Sequence, residues 1–312
     1  MGIRGRRRPR GRESRQRNDQ RRSAESPTRE RIMKYDRIMA LLAEEPLLIT
    51  PAAHGALARL FAEHRSLSRA DFEMKREGTG ACGAVVELEQ MEIIDGVAHI
   101  PIGGPIGRGL GKFEKWAGAV DVEDVIGEID EAEESAEVGA ILLDIDSPGG
   151  MYSGTPELGD RILQCQKPIY AFSAGMMCSA AYWAAAATDG IFTTRTATVG
   201  SIGVYCAYLD SSAAMEKEGL KVDVFTSGRY KGAGIPGTTL SEDHRKMLQA
   251  RVEEMAGAFY QHVEASRPDV ERTDMQGQVF MGDRAVAAGL VDQVVRDKGE
   301  AVELIGGSGA GS

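Results

Sequence analysis

From Ala84 onward, short apolar runs alternate with segments whose apolar residues recur every three or four positions. "VGAILLDID" (138–146) and "KPIYAFSAG" (167–175) read as buried strands, each bounded by Gly or Pro. "GIFTTRTATVGSIGVY" (190–205) holds further strand material, and "KVDVFTSG" (221–228) reads as another strand. Between them lie helical patterns. Val122, Val125, Ile126 and Ile129 share a face, "TPELGDRILQC" carries Thr155 as a cap, and "SAAYWAAAATD" and "SAAMEKEGL" follow. Leu248, Val252, Met255, Phe259 and Val263 mark a long amphipathic helix. Asp95-Gly96 between β-rich runs is a hairpin signal. Strand and helix in alternation predict an α/β fold with mostly parallel strands, whose sites lie at strand carboxyl ends.

The first 80 residues differ. Ile38, Leu41 and Leu42 share one helical face, and Leu57, Leu60 and Phe61 another, with Pro46 and Pro51 separating the two helices. Residues 33–80 are therefore expected to be a helical extension and linker. Residues 1–32 read as a disordered Arg-rich arm, and residues 298–312 as a flexible Gly/Ser-rich tail. The domain proper is expected over 81–297.

Charge sharpens this division. The net charge is −10, yet residues 1–30 hold eleven Arg against four acids. An acidic body makes nucleic-acid binding an unfavoured function. No apolar run is long enough for a membrane span, and the basic start lacks an apolar core segment, so neither anchor nor secretory signal is expected. Cys82, Cys165, Cys178 and Cys206 lack CxxC spacing, so no metal site is signalled, and a reduced, cytoplasmic compartment is the expectation.

Chemistry concentrates in two Gly-rich turns at predicted strand ends. Ser147-Pro148-Gly149-Gly150 can leave backbone amides unpaired, as an oxyanion hole requires. "AGMMCSAAYWA" (174–184) sets Cys178 beside Ser179 at a helix start, ringed by small residues. Neither His54, His64, His99, His244 nor His262 lies in a Gly-rich turn, so a histidine base is poorly supplied. Lys231, in "TSGRYKGAG", is Gly-flanked, and a desolvated lysine amine can act as a neutral base. Ser201, between Gly200 and Ile202, offers a hydroxyl to orient it.

In this order the segments resemble peptidase family S49, the signal peptide peptidase A group. They are Ser147–Gly150, Ser179, "TVGSIGV" (198–204), "SGRYKGAG" (227–234) and the closing "VFMGDRAVAAGLVDQVV" (279–295). The resemblance implies Ser179 as nucleophile, Lys231 as general base and Ser201 as the lysine-orienting hydroxyl. It implies Gly149 or Gly150 as an oxyanion-hole amide, with an amide near Ser179. It also implies a ClpP/crotonase-like fold of repeated ββα units, a homo-oligomer, polypeptide substrates and no cofactor. The opening "YDRIMALLAEEPLLITPAAHGALARLF" looks like phage-encoded members, which are head-maturation proteases cutting scaffold, capsid or portal proteins. A signal peptide peptidase and a non-catalytic scaffolding subunit are the alternatives. One departure stands out: Ala180-Ala181 follows Ser179 where many members carry Gly-Gly.

Overall fold

The computed structural model describes residues 47–55, 90–111, 114–115 and 118–308. The Arg-rich arm and most of the predicted helical extension lie outside them. At the centre is a six-stranded sheet of β2 (Glu92–Ile94), β3 (Val97–Gly103), β6 (Ala140–Asp146), β8 (Ile169–Ser173), β10 (Gly190–Thr193) and β13 (Gln293–Val294). Their spatial order is β13-β10-β8-β6-β3-β2, parallel except for the β2–β3 hairpin. That hairpin turns on Asp95 and Gly96 at φ 50° and 82°. Two left-handed residues form the turn whose twist matches the flanking strands.

Alternate residues of the central strands feed two cores, because strand side chains alternate between faces. Ala98, Ile100, Ile102, Ile141, Leu143 and Ile145 enter the larger one, while Val97, Leu142 and Phe172 enter the smaller. Both faces are buried, which is why β6 reads as a continuous apolar run. The larger core is completed by α1 (Val122–Glu134), α2 (Thr155–Leu163), α3 (Ala180–Ala186) and α5 (Glu242–Ser266). Trp183 of α3 stacks on Phe259 of α5 with ring centroids 4.7 Å apart. Burying a side chain of that size contributes about 3 kcal/mol. The short α4 (Ser212–Lys217) stays outside, with no buried residue.

Each of three central strands runs on into a short strand that leaves the sheet. β6 leads to β7 (Gly149–Met151) and α2, β8 to β9 (Met176–Cys178) and α3, and β10 to β11 (Thr198–Gly200). This is the expected α/β architecture of repeated strand–strand–helix units. The short strands form a second layer over the carboxyl ends of the central ones. β9 pairs with β11, and β11 with β12 (Val279–Met281). β7 lies between β4 (Ile106–Gly107) and β1 (Leu47–Ile49), and β4 pairs with β5 (Val120–Asp121).

Four expectations need correction. Residues 298–308, read as part of a flexible tail, form α7 (Lys298–Ser308), which buries Ala301 and Ile305 against the smaller core. Leu47–Ile49, read as a break between helices, is a fully buried strand. Residues 221–226 carry strand composition but join no sheet among the described residues. Thr155 is the first helical residue rather than the cap, and its hydroxyl donates to the Met151 carbonyl at 2.7 Å.

Candidate active site

Backbone hydrogen bonds stitch the exits of β6, β8 and β10 together. The Ser147 N–H donates to Met176 O (2.7 Å), Cys178 N–H to Ser147 O (3.1 Å) and Ser179 N–H to Gly200 O (2.7 Å). Gly149, Ser179 and Ser201 thereby converge, although they are spread over some fifty residues of sequence.

Ser179 sits at the sharp turn from β9 into α3, at φ 56° and ψ −115°. A non-glycine residue there is strained, and such strain persists only where the surroundings enforce it. Its side chain caps nothing on α3, so the hydroxyl is not committed to the helix. Ser201 follows Gly200 with the same feature, φ 53°, and its N–H donates to Gln278 O at 2.8 Å. Both serines are buried.

Cys178 behaves differently. It is fully buried, its thiol donates to Thr198 O at 3.5 Å, and burial pushes its pKa up to about 12. A thiol in that state is almost entirely protonated near neutrality and is a poor nucleophile. Burial thus weighs against Cys178, the neighbour that the sequence reading already sets behind Ser179.

Gly149 has φ 98°, and a Cβ there would collide with the Leu48 carbonyl and lie 2.9 Å from the Ser179 Cβ. Only glycine lets the turn come this close to Ser179. The Gly149 N–H donates to the Ser147 hydroxyl at 3.2 Å. Gly150 stands opposite Leu48 across the β1–β7 ladder, and a Cβ on it would overlap the Ile106 backbone. Ala180 and Ala181 are wholly buried within α3. Relative to Gly-Gly they favour the helix, by about 1 kcal/mol per residue.

Lys231 stands apart. It is exposed, and no hydrogen bond joins it to Ser179 among the described residues. Its own segment is apolar for a surface: Val224, Phe225 and Tyr230 are exposed, Phe225 at 95%.

Beside β1 stand His54, weighed from sequence only as a base, and Tyr205, not singled out there. His54 accepts or donates a 2.9 Å hydrogen bond through Nδ1 with the Tyr205 hydroxyl, and Tyr205 pairs with Leu47 of β1. The available signal was the apolar triplet Leu47-Leu48-Ile49 between two prolines, a pattern as compatible with a short strand as with a helix break.

Residues 161–304, which include Ser179, Ser201 and Lys231, match the family model described as peptidase family S49. That stretch resembles peptidase family S49. Similar proteins include the capsid assembly protease C of Escherichia phage lambda. That protein is 32% identical over 67% of this chain and 48% of its own length. The head-tail preconnector protein GP5 of Enterobacteria phage P21 is 27% identical over 83% of this chain and 54% of its own. A signal peptide peptidase SppA named as such in Enterococcus faecium is 29% identical over 55% and 52%. The chain thus spans about half the length of these relatives. Similar solved structures include a ClpP1 mutant from Listeria monocytogenes and an enoyl-CoA hydratase/isomerase family protein from Silicibacter pomeroyi. Both have a TM-score of 0.40, at 14% and 13% identity, covering 64% and 71% of this chain and 92% and 80% of theirs. No helix among the described residues is long and apolar enough to cross a membrane.

Proposed function

We propose that this protein is a serine endopeptidase with a Ser179–Lys231 dyad, acting on scaffold, capsid or portal polypeptides during phage head assembly. The observation that carries the chemistry is the strained Ser179, its hydroxyl uncommitted, set against the glycine turn of β7 and beside an unreactive thiol. In the reaction, Ser179 Oγ bonds to the substrate carbonyl carbon while the Lys231 amine takes the hydroxyl proton. The peptide C–N bond then breaks, and that proton passes to the departing amine. Water, deprotonated by the same lysine, hydrolyses the ester. Negative charge on the carbonyl oxygen is met by a β7 amide and one near Ser179. The Gly149 N–H is held by the Ser147 hydroxyl and Gly150 faces Leu48 in the β1–β7 ladder, so either amide serves once its present partner gives way. Ser201, one residue beyond the Gly200 carbonyl that holds Ser179, orients the lysine.

Lys231 must leave water to become a neutral base. The exposed Phe225 and Tyr230 on its segment favour assembly of copies that cover this surface. The phage setting is favoured by the share of this chain that the two phage relatives match, 67% and 83% against 55% for the signal peptide peptidase.

Ser179→Ala is expected to abolish both peptide cleavage and labelling by a fluorophosphonate probe, while Cys178→Ala keeps both. Labelling that survives in Ser179→Ala but disappears in Cys178→Ala reverses the assignment. Lys231→Ala is expected to lower the turnover rate by a factor of about a thousand, with oligomer size unchanged in sedimentation. Incubation with phage scaffold and capsid proteins, against a panel of signal peptides, separates the two substrate classes.

A further inference from the structure

β1 comes from far upstream, yet it lies in the layer that holds Ser179. It is antiparallel to a neighbour on each side. On one side Leu47 exchanges two backbone hydrogen bonds with Tyr205, 2.8 and 3.2 Å long. On the other, Leu48 faces Gly150, and the Thr50 N–H donates to Pro148 O at 3.0 Å. The Leu48 carbonyl oxygen and the Ser179 Cβ crowd the same point above the Gly149 Cα. Leu47, Leu48 and Ile49 are 1%, 0% and 3% exposed, and Leu48 enters the cluster containing Ile106, Met177 and Ile202. The His54–Tyr205 bond fastens the helical turn that follows β1 to the same flanking segment.

A peptide that offers its carbonyl to Ser179 needs main-chain partners beside it, and adding a strand to an open edge is the general way to supply them. The edges next to Ser179 are those of β7 and of the segment ending at Tyr205, and β1 uses both. We propose that Leu47–Thr50 is an internal occupant of the peptide groove, lying as a substrate lies with the Leu48 carbonyl toward Ser179, so that the enzyme in this state is self-blocked. The reading rests on Ser179 as the nucleophile. It also assigns the ligand class: an extended peptide whose aliphatic side chains fill the places of Leu47, Leu48 and Ile49. Substrates reach Ser179 only in the fraction of molecules whose β1 has left, which lowers apparent affinity by that fraction.

The test uses the full chain. Leu48→Asp places a carboxylate in the buried strand and expels it, and His54→Ala loosens it without touching the core. The rate of Ser179 labelling by a fluorophosphonate probe is expected to rise about tenfold or more in Leu48→Asp and by less in His54→Ala. A synthetic peptide, Glu-Pro-Leu-Leu-Ile-Thr-Pro-Ala, is expected to slow it again. Self-cutting between Leu48 and Ile49, seen by mass spectrometry in the wild type and absent in Ser179→Ala, also supports the pose. In that event the Leu48 carbonyl carbon bonds to Ser179 Oγ, the amine of Ile49 leaves with the proton, and water releases the Leu48 carboxylate. Folded variants that label at the wild-type rate, unaffected by the peptide, overturn the proposal. A reading independent of the nucleophile is fluorescence anisotropy of the labelled peptide with the Ser179→Ala/Leu48→Asp double variant. Peptide bound there, with no probe labelling in any variant, sinks the nucleophile and leaves the groove assignment standing. No binding sinks the groove assignment itself.

Discussion

Ser179 and Gly149 meet at a spacing that leaves no room for change. A methyl group on Gly149 needs a left-handed backbone and the space taken by the Leu48 carbonyl. Gly149→Ala is therefore expected to remove activity and, if β1 is the groove's occupant, to dislodge it. Gly150→Ala collides with the Ile106 backbone instead and is expected to cost about 1–3 kcal/mol of stability, measured by denaturant unfolding. A separate single-residue effect concerns acid. His99 is buried, with neither ring nitrogen hydrogen-bonded among the described residues, and burial, then Lys298, lower its pKa below 6.5 against smaller opposing effects of Asp144 and Glu92. Burial lowers His262 as well. A histidine whose folded value is depressed binds its proton more readily when unfolded, so its stabilising effect is full above 6.5 and is lost as pH falls below it. Thermal melts are expected to show declining stability from about pH 6.5 downward, and His99→Val is expected to flatten part of that slope. An unchanged slope in His99→Val removes His99 as a cause.

The elements nearest the chemistry were those most legible from sequence. Short apolar runs ending in Gly or Ser mark β6, β8, β10 and the turns that follow, because a strand buried on both faces has a composition few other structures share. Ser179, Ser201 and the two glycines could be located by those turns alone. The elements that escaped are those whose identity depends on a partner. Three apolar residues between prolines have no period to read, and β1 exists only because β7 and the Tyr205 segment supply both its ladders. The reverse holds at 221–226, whose β-branched residues predict a strand, yet no neighbour among the described residues pairs with it. α7 was hidden by its closing Gly and Ser residues, although Ala301 and Ile305 at helical spacing carry its buried face. At the far end of the fold, Arg267 after α5 donates to Asp292 at 2.8 Å and to the Thr188 carbonyl at 3.0 Å. The same carboxylate accepts from the Ile191 N–H at 2.7 Å. Arg267→Ala takes the counter-charge from Asp292 and this donor from the Thr188 carbonyl and is expected to cost about 2 kcal/mol, with Arg267→Lys recovering only part because one ammonium cannot reproduce the fork.

The whole molecule is divided between a packed body and an open segment. Residues 205–240 expose Leu209, Leu220, Phe225 and Tyr230, an apolar surface that favours contact with another copy. If copies join through it, activity rises faster than linearly with protein concentration, and Phe225→Asp yields a folded monomer with little activity. Activity proportional to concentration in both proteins argues instead for a complete site in one chain. A final consequence lies with β1 in its role as a middle strand. Withdrawing it uncovers two rows of unpaired main-chain groups that face each other across an empty slot, the arrangement that invites strands from other molecules. An opened enzyme without peptide is thus exposed to sticking to its own kind. Light scattering of the Leu48→Asp variant is expected to show slow clumping that a short aliphatic peptide prevents, so the segment that blocks the groove also keeps the protein dispersed.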